Sequence, residues 1–158
     1  MLRFYRPKGE PTKITDVRTA VVEANYDWTF VRVYTDEGIT GLGESFLAPG
    51  LTAIIADLKP LLVGEDPRTV DKLFSKMRWA ASGAGSMGGI VYNAISGIEA
   101  ALWDVVGKFY GAPIHQLFGG KFRDKVRMWL EDPVPPENIE AMRLVTQSTK
   151  TPVSSGER

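Results

Sequence analysis

Two glutamates are the residues of this sequence best placed to do chemistry. Glu131 closes the run Trp129-Leu130-Glu131, just ahead of Asp132-Pro133, and Glu157 lies in Gly156-Glu157-Arg158. The pattern around them predicts a strand over 125–130, an amphipathic helix over 136–150 with Ile139, Met142 and Val145 inward, and a second strand over 151–155. In such a β-α-β unit the strands run parallel ~4.8 Å apart, so carboxylates leaving the same end of both can share one cation. The chain has no cysteine, which leaves His, Asp and Glu as metal ligands and points to a hard, oxygen-seeking ion such as Mg²⁺. The same two glutamates also read as solvated surface charges. Spacing alone favours that plainer reading, because carboxylates are mostly exposed.

Other motifs carry less. Gly83-Ala84-Gly85-Ser86-Met87-Gly88 matches the literal dinucleotide fingerprint, but that fingerprint needs a buried strand upstream, and residues 70–81 read as a helix. A linker ahead of a helix is the better account. His115, the single histidine, falls in a predicted turn and reads as structural. Trp103 and Asp104 lie on a long predicted helix, where packing suits the first and a capping or solvated role the second. Glu65-Asp66-Pro67 reads as a helix start, with acids at the positive end and a proline in the first turn.

The elements that would position these residues follow from periodicity. Alternating, β-branched runs predict strands over 14–23, 28–35 and 39–44. Asp36-Gly38 makes a tight turn, and connections this short join antiparallel neighbours. Beyond Pro49 the period becomes helical: Leu51, Ile54, Ile55 and Leu58 share a face, and a second helix runs from Asp66-Pro67 to about Trp79. Val91, Ile95, Ile98, Leu102, Val105 and Phe109 form one apolar stripe, ended by Gly111 and Pro113. The fold class is therefore α+β: a three-stranded meander with a helical bundle, followed by the β-α-β segment.

Composition sets the bounds. Of 158 residues 44% are hydrophobic and 24% charged, enough for one respectable core. Nineteen basic residues balance nineteen acidic ones, so no global field attracts nucleic acid or an anionic membrane. The first residues lack the apolar core of a signal peptide and no run reaches membrane-span length, so a cytoplasmic protein is expected. Residues 1–13, rich in turn formers and charge, read as a loose arm.

Four segments together resemble the mandelate racemase and muconate-lactonizing branch of the enolase superfamily. They are Val33-Tyr34-Thr35-Asp36-Glu37-Gly38, Gly41-Leu42-Gly43-Glu44, Gly97-Ile98-Glu99-Ala100-Ala101-Leu102-Trp103-Asp104 and Gln116-Leu117-Phe118-Gly119-Gly120. The resemblance implies an enolase-like N-terminal capping domain over 14–124 and a remnant of a (β/α) barrel over 125–158. Its cap and its Gly-Glu-Arg segment are similar to acid-sugar dehydratases of the galactonate or gluconate type. Those enzymes abstract the proton α to a carboxylate, stabilise the enediolate with Mg²⁺, and lose the β-hydroxyl to give a 2-keto-3-deoxy acid.

On this resemblance Glu131 and Glu157 match the second and third magnesium ligands. The capping loops match about 25–28 and 46–50, which makes Tyr26 and Phe46 candidate substrate-facing side chains. The partner implied is a small sugar acid, and a homo-oligomer is expected. The segment resembling the first barrel strand runs directly into the one resembling the fourth, so the family's lysine base and first metal-binding aspartate have no counterpart. No catalytic residue is assigned, and little or no turnover is expected of these residues alone, since a whole barrel takes ~250 residues. A cap acting alone as an interaction or oligomerisation module is the competing reading, with a racemase or cycloisomerase of the same superfamily beside it.

Overall fold

The computed structural model describes residues 12–23, 27–46, 48–84 and 88–126. By contacts the chain divides into two units, Met1–Gly120 and Lys121–Arg158. In the first, β1 (Ile14–Glu23), β2 (Asp27–Thr35) and β3 (Thr40–Ser45) form an antiparallel sheet in sequence order. The expected meander is present, with β2 starting one residue earlier and β3 displaced by one residue.

Among the described residues four α-helices follow: α1 (Leu51–Leu58), α2 (Val70–Ala80), α3 (Gly89–Tyr110) and the single turn α4 (Ile114–Leu117). The last contains His115, so the predicted turn is one helical turn, and His115 is exposed on it. α2 begins three residues after the expected proline start. Asp66 Oδ1 accepts the Arg68 N–H (2.9 Å), and Arg68 Nη2 donates to Asp66 Oδ2 (2.5 Å). The Thr69 hydroxyl turns back to the Asp66 carbonyl (2.8 Å). These short-range bonds hold residues 66–69 in a turn, the competition that Asp and Thr offer to helical backbone.

α3 is the axis of the domain. The middle of its predicted stripe is buried, with Ile95, Ile98, Leu102 and Val105 fully inaccessible, and the two end residues, Val91 and Phe109, are half-buried. Such side chains contribute roughly 1.5–3 kcal/mol each on burial. α1 and α2 pack against α3, supplying Leu51, Ile55, Leu73 and Met77 to the same core.

Where α3 meets β3 it presents small residues that the apolar stripe omits, Gly97 and Ala101. They meet the buried, inward-pointing positions of β3, which are Gly41, Gly43 and Ser45. A Cβ at Gly43 would overlap the Gly97 carbonyl oxygen, and one at Gly41 the Ala101 carbonyl oxygen. Helix backbone therefore lies directly on strand backbone, a close approach that only glycine permits.

The outer edge of β3 is closed by α3 side chains. The Leu42 N–H donates to Asp104 Oδ2 (2.8 Å), and Lys108 Nζ donates both to the Thr40 carbonyl (2.8 Å) and to Asp104 Oδ2 (2.5 Å). Asp104 is thus neither a cap nor a solvated charge, as its helical position alone suggests. With Lys108 it occupies two edge groups that a further strand would need. Trp103 packs as expected, its ring 4.5 Å from Phe118 and its Nε1 donating to Glu99 (2.9 Å).

The last two residues of the expected loose arm are held in place. The Thr12 hydroxyl and the Lys13 N–H both donate to Asp36 Oδ1 (2.9 and 2.8 Å), and Thr12 is buried. Lys125 and Val126 are not in a strand; the rest of the predicted β-α-β segment lies outside the described residues.

Candidate functional site

Strand register brings the two candidate loops to one end of the sheet. Glu23 pairs with Asp27 across the β1–β2 connection, and Thr29 pairs with Ser45, the last residue of β3. Of the first candidate loop, expected at about 25–28, Asp27 and Trp28 belong to β2 and residues 25–26 lie outside the described residues; Glu23 and Asp27, which flank the connection, lie at the same end of the sheet as Ser45, which precedes Phe46. Tyr26 itself lies outside the described residues. Phe46 is described and is 78% exposed.

α3 runs antiparallel to β3, because Gly97 sits at Ser45, Ala101 at Gly41 and Gly43, and Lys108 at Thr40. Its first turns consequently lie toward the same end as Phe46, while residues 85–87 of the glycine-rich segment before them lie outside the described residues. Upstream of that segment is α2, a helix and not a strand, so the dinucleotide-binding context is missing as the sequence predicts.

Just below Phe46, the Ser45 side chain fills the seam between β3 and α3. Ser45 is 2% exposed, and its hydroxyl has no hydrogen-bond partner among the described residues. A Cβ at Gly97 would overlap that hydroxyl and lie 3.1 Å from Ser45 Cβ and Val31 Cγ2. The base of the Phe46 segment is set by this pair. The signal for it is present in the sequence as glycine and serine at alternate strand positions, opposite small residues spaced by four on α3.

The displaced carboxylate pKa values lie at the other end. Glu65 is held down to about 2 by hydrogen bonds from Lys72 and Lys76, the lysine charges adding to the effect. Asp16 is likewise lowered to about 2, first by Lys59 and then by Arg18. Asp66 is lowered by Arg68, and Asp36 by the Lys13 N–H and the Thr12 hydroxyl. The Ile14 N–H donates to the Glu65 carbonyl (2.9 Å), which ties the 64–66 turn to the start of β1. These ionised, paired acids brace the fold at the end opposite Phe46.

A cleft of about 450 Å³ is lined by Asp104, Gly107, Lys108, Gly111, Ala112, Pro113 and Ile114. It too lies at the far end, and Asp104 and Lys108 are already bonded to each other and to β3.

Among the described residues no group of three His, Asp or Glu side chains could hold a metal ion. Glu131 and Glu157 lie outside the described residues. No described helix is long and apolar enough to cross a membrane.

A three-stranded meander capped by helices, with paired loops at one end, is the capping domain of the enolase superfamily. Residues 5–119 match the family model "Mandelate racemase / muconate lactonizing enzyme, N-terminal domain", and the chain belongs to this family. The chain is 46% identical over 149 residues to D-xylonate dehydratase of Haloferax volcanii, covering 89% of this chain and 36% of the relative. It is 37% identical over 136 residues to D-galactonate dehydratase of Verminephrobacter eiseniae, covering 83% of this chain and 35% of that protein. A crystal structure of a mandelate racemase/muconate lactonizing enzyme-like protein from Rubrobacter xylanophilus superposes with a TM-score of 0.70 at 42% identity, over 75% of this chain and 30% of that one. The chain spans about a third of the length of the curated relatives it matches.

Proposed function

We propose that these residues are the cap of a magnesium-dependent acid-sugar dehydratase, and that their loops at 24–26 and 46–50 close over an aldonate held by a barrel. The observation that carries this reading is that the strand ends flanking both loops lie at one end of the sheet, with Phe46 exposed there, in a chain 46% identical to a D-xylonate dehydratase. Tyr26 and Phe46 supply the contact surface. Glu23 and Asp27, exposed at the base of the first loop, offer acceptors to substrate hydroxyls and no counter-charge to its carboxylate.

Glu131 and Glu157 are the proposed magnesium ligands, on the strength of the resemblance and of a donor set of two carboxylates that suits a hard ion. Bound there, magnesium would supply Lewis-acid stabilisation of an enediolate. By the family resemblance the lysine base has no counterpart in this sequence, so the 158 residues alone are expected to be catalytically silent. The proposed setting is a soluble, cytoplasmic homo-oligomer acting on a small sugar acid.

The test is incubation of the purified 158-residue chain with Mg²⁺ and a panel of aldonates that includes D-xylonate and D-galactonate. Absence of a 2-keto-3-deoxy product is expected, and its formation would show that a base exists which this reading lacks.

A further inference from the structure

The sheet has a second face, turned away from α3, and it is not a uniformly polar surface. Register places its side chains in rows across the strands: Arg18–Arg32–Leu42, then Ala20–Phe30–Glu44, then Val22–Trp28. Val22, Trp28 and Leu42 are 47%, 39% and 46% exposed, and Phe30 between them is half-buried. Neighbouring apolar side chains of this size on one face mark an interaction surface more often than isolated ones do.

The charges in these rows decide what could cover it. Arg18 and Arg32 stand directly opposite each other, a like-charge pairing that costs stability. Arg18 is neutralised within the protomer, donating to Asp16 Oδ2 (2.6 Å) and lying 5.1 Å over the Tyr34 ring. Arg32 has no ionic or hydrogen-bond partner among the described residues, and neither has Glu44 two residues beyond the Leu42 position. One open cation and one open anion therefore flank the apolar strip. A two-fold interface needs this self-complementarity, because each protomer must supply both halves of every contact.

Edge-to-edge association along β3 is blocked at Leu42 and Thr40 by Asp104 and Lys108. Association through the face is not blocked. We infer that this outer face of the sheet is the surface on which two copies of the chain pair, Phe30, Trp28, Val22 and Leu42 packing across the axis while Arg32 of each protomer meets Glu44 of the other. The inference rests on the homo-oligomer in the proposed function and names its surface. A face three strands wide lies at the small end of specific interfaces, so the expected association is of roughly micromolar strength and depends on protein concentration.

The experiment is sedimentation equilibrium on the full 158-residue chain and on the charge reversals Arg32→Glu, Glu44→Arg and their combination. The native chain is expected to form a dimer, each single reversal to weaken it about tenfold or more, and the double reversal to restore it. Restoration also shows that the single variants had not merely misfolded, and far-UV circular dichroism on each variant checks the same point. A chain that is monomeric throughout the range overturns both the inference and the homo-oligomer it rests on. A dimer indifferent to all three reversals overturns the surface alone.

Discussion

Replacing Gly97 by alanine tests how the base of the Phe46 segment is built. A methyl at position 97 would overlap the Ser45 hydroxyl and stand 3.1 Å from both Ser45 Cβ and Val31 Cγ2. Overpacking of this kind costs about 1–3 kcal/mol. Removing a mid-helix glycine returns about 1 kcal/mol of helix propensity. The expected net loss is therefore about 0–2 kcal/mol.

Ser45→Ala behaves differently, because the hydroxyl it deletes is buried without a partner. That change is expected to be neutral or slightly stabilising. In the Ser45→Ala background the hydroxyl overlap is gone and only the 3.1 Å contacts remain, so Gly97→Ala should cost less by about 1 kcal/mol or more. Gly43→Ala should be worse than either, since its methyl would strike the Gly97 carbonyl, which no rotamer change can move. Urea unfolding followed by tryptophan fluorescence, with midpoints compared at constant m, gives the four corners of the cycle. An equal cost for Gly97→Ala in both backgrounds would refute the argument that Ser45 sets the spacing.

Asp104→Ala removes the acceptor for the Leu42 N–H and an anchor of Lys108; a loss of about 1–2 kcal/mol is expected, with faster amide exchange at Leu42 as the specific readout. Acid should weaken the fold in a defined window. Glu65 and Asp16 have folded pKa values lowered from 4.5 and 3.8 to about 2, so their contribution is complete above the higher values and is lost as pH falls toward about 2. Glu65→Gln should flatten that part of the stability profile, and an unchanged slope in urea melts across it would count against the Lys72–Glu65–Lys76 brace. Glu131→Gln and Glu157→Gln should each reduce Mg²⁺ binding by the chain in calorimetric titration, and titrations identical to the native chain would remove both residues from the metal site.

Much of this domain was legible in the sequence because its signals are periodic. Alternation located all three strands, and the stepping of Val91 through Phe109 located α3 and its buried stripe. The start of α2 was misread because Asp66-Pro67 carries the composition of a helix start, while the Asp66–Arg68 and Thr69–Asp66 bonds spend those groups on a turn. Asp104 was misread because its partner, the Leu42 N–H, is 62 positions away, and no local pattern reports a contact of that range. The packing of Gly41 and Gly43 on Gly97 and Ala101 was similarly invisible to a hydrophobicity count. It rests on the absence of side chains. Of the candidate site, register alone brings Phe46 beside the loop that carries Tyr26. The assignment of Glu131 and Glu157 comes from family likeness, not from spacing.

We propose that this domain serves as the cap of an acid-sugar dehydratase. Grafting residues 5–119 in place of the matching segment of the Haloferax volcanii D-xylonate dehydratase tests it most directly. The chimera is expected to release 2-keto-3-deoxy acid from an aldonate, with Phe46→Ala raising KM more than it lowers kcat. A folded, magnesium-loaded chimera that dehydrates no aldonate, or one indifferent to Phe46→Ala, would contradict it.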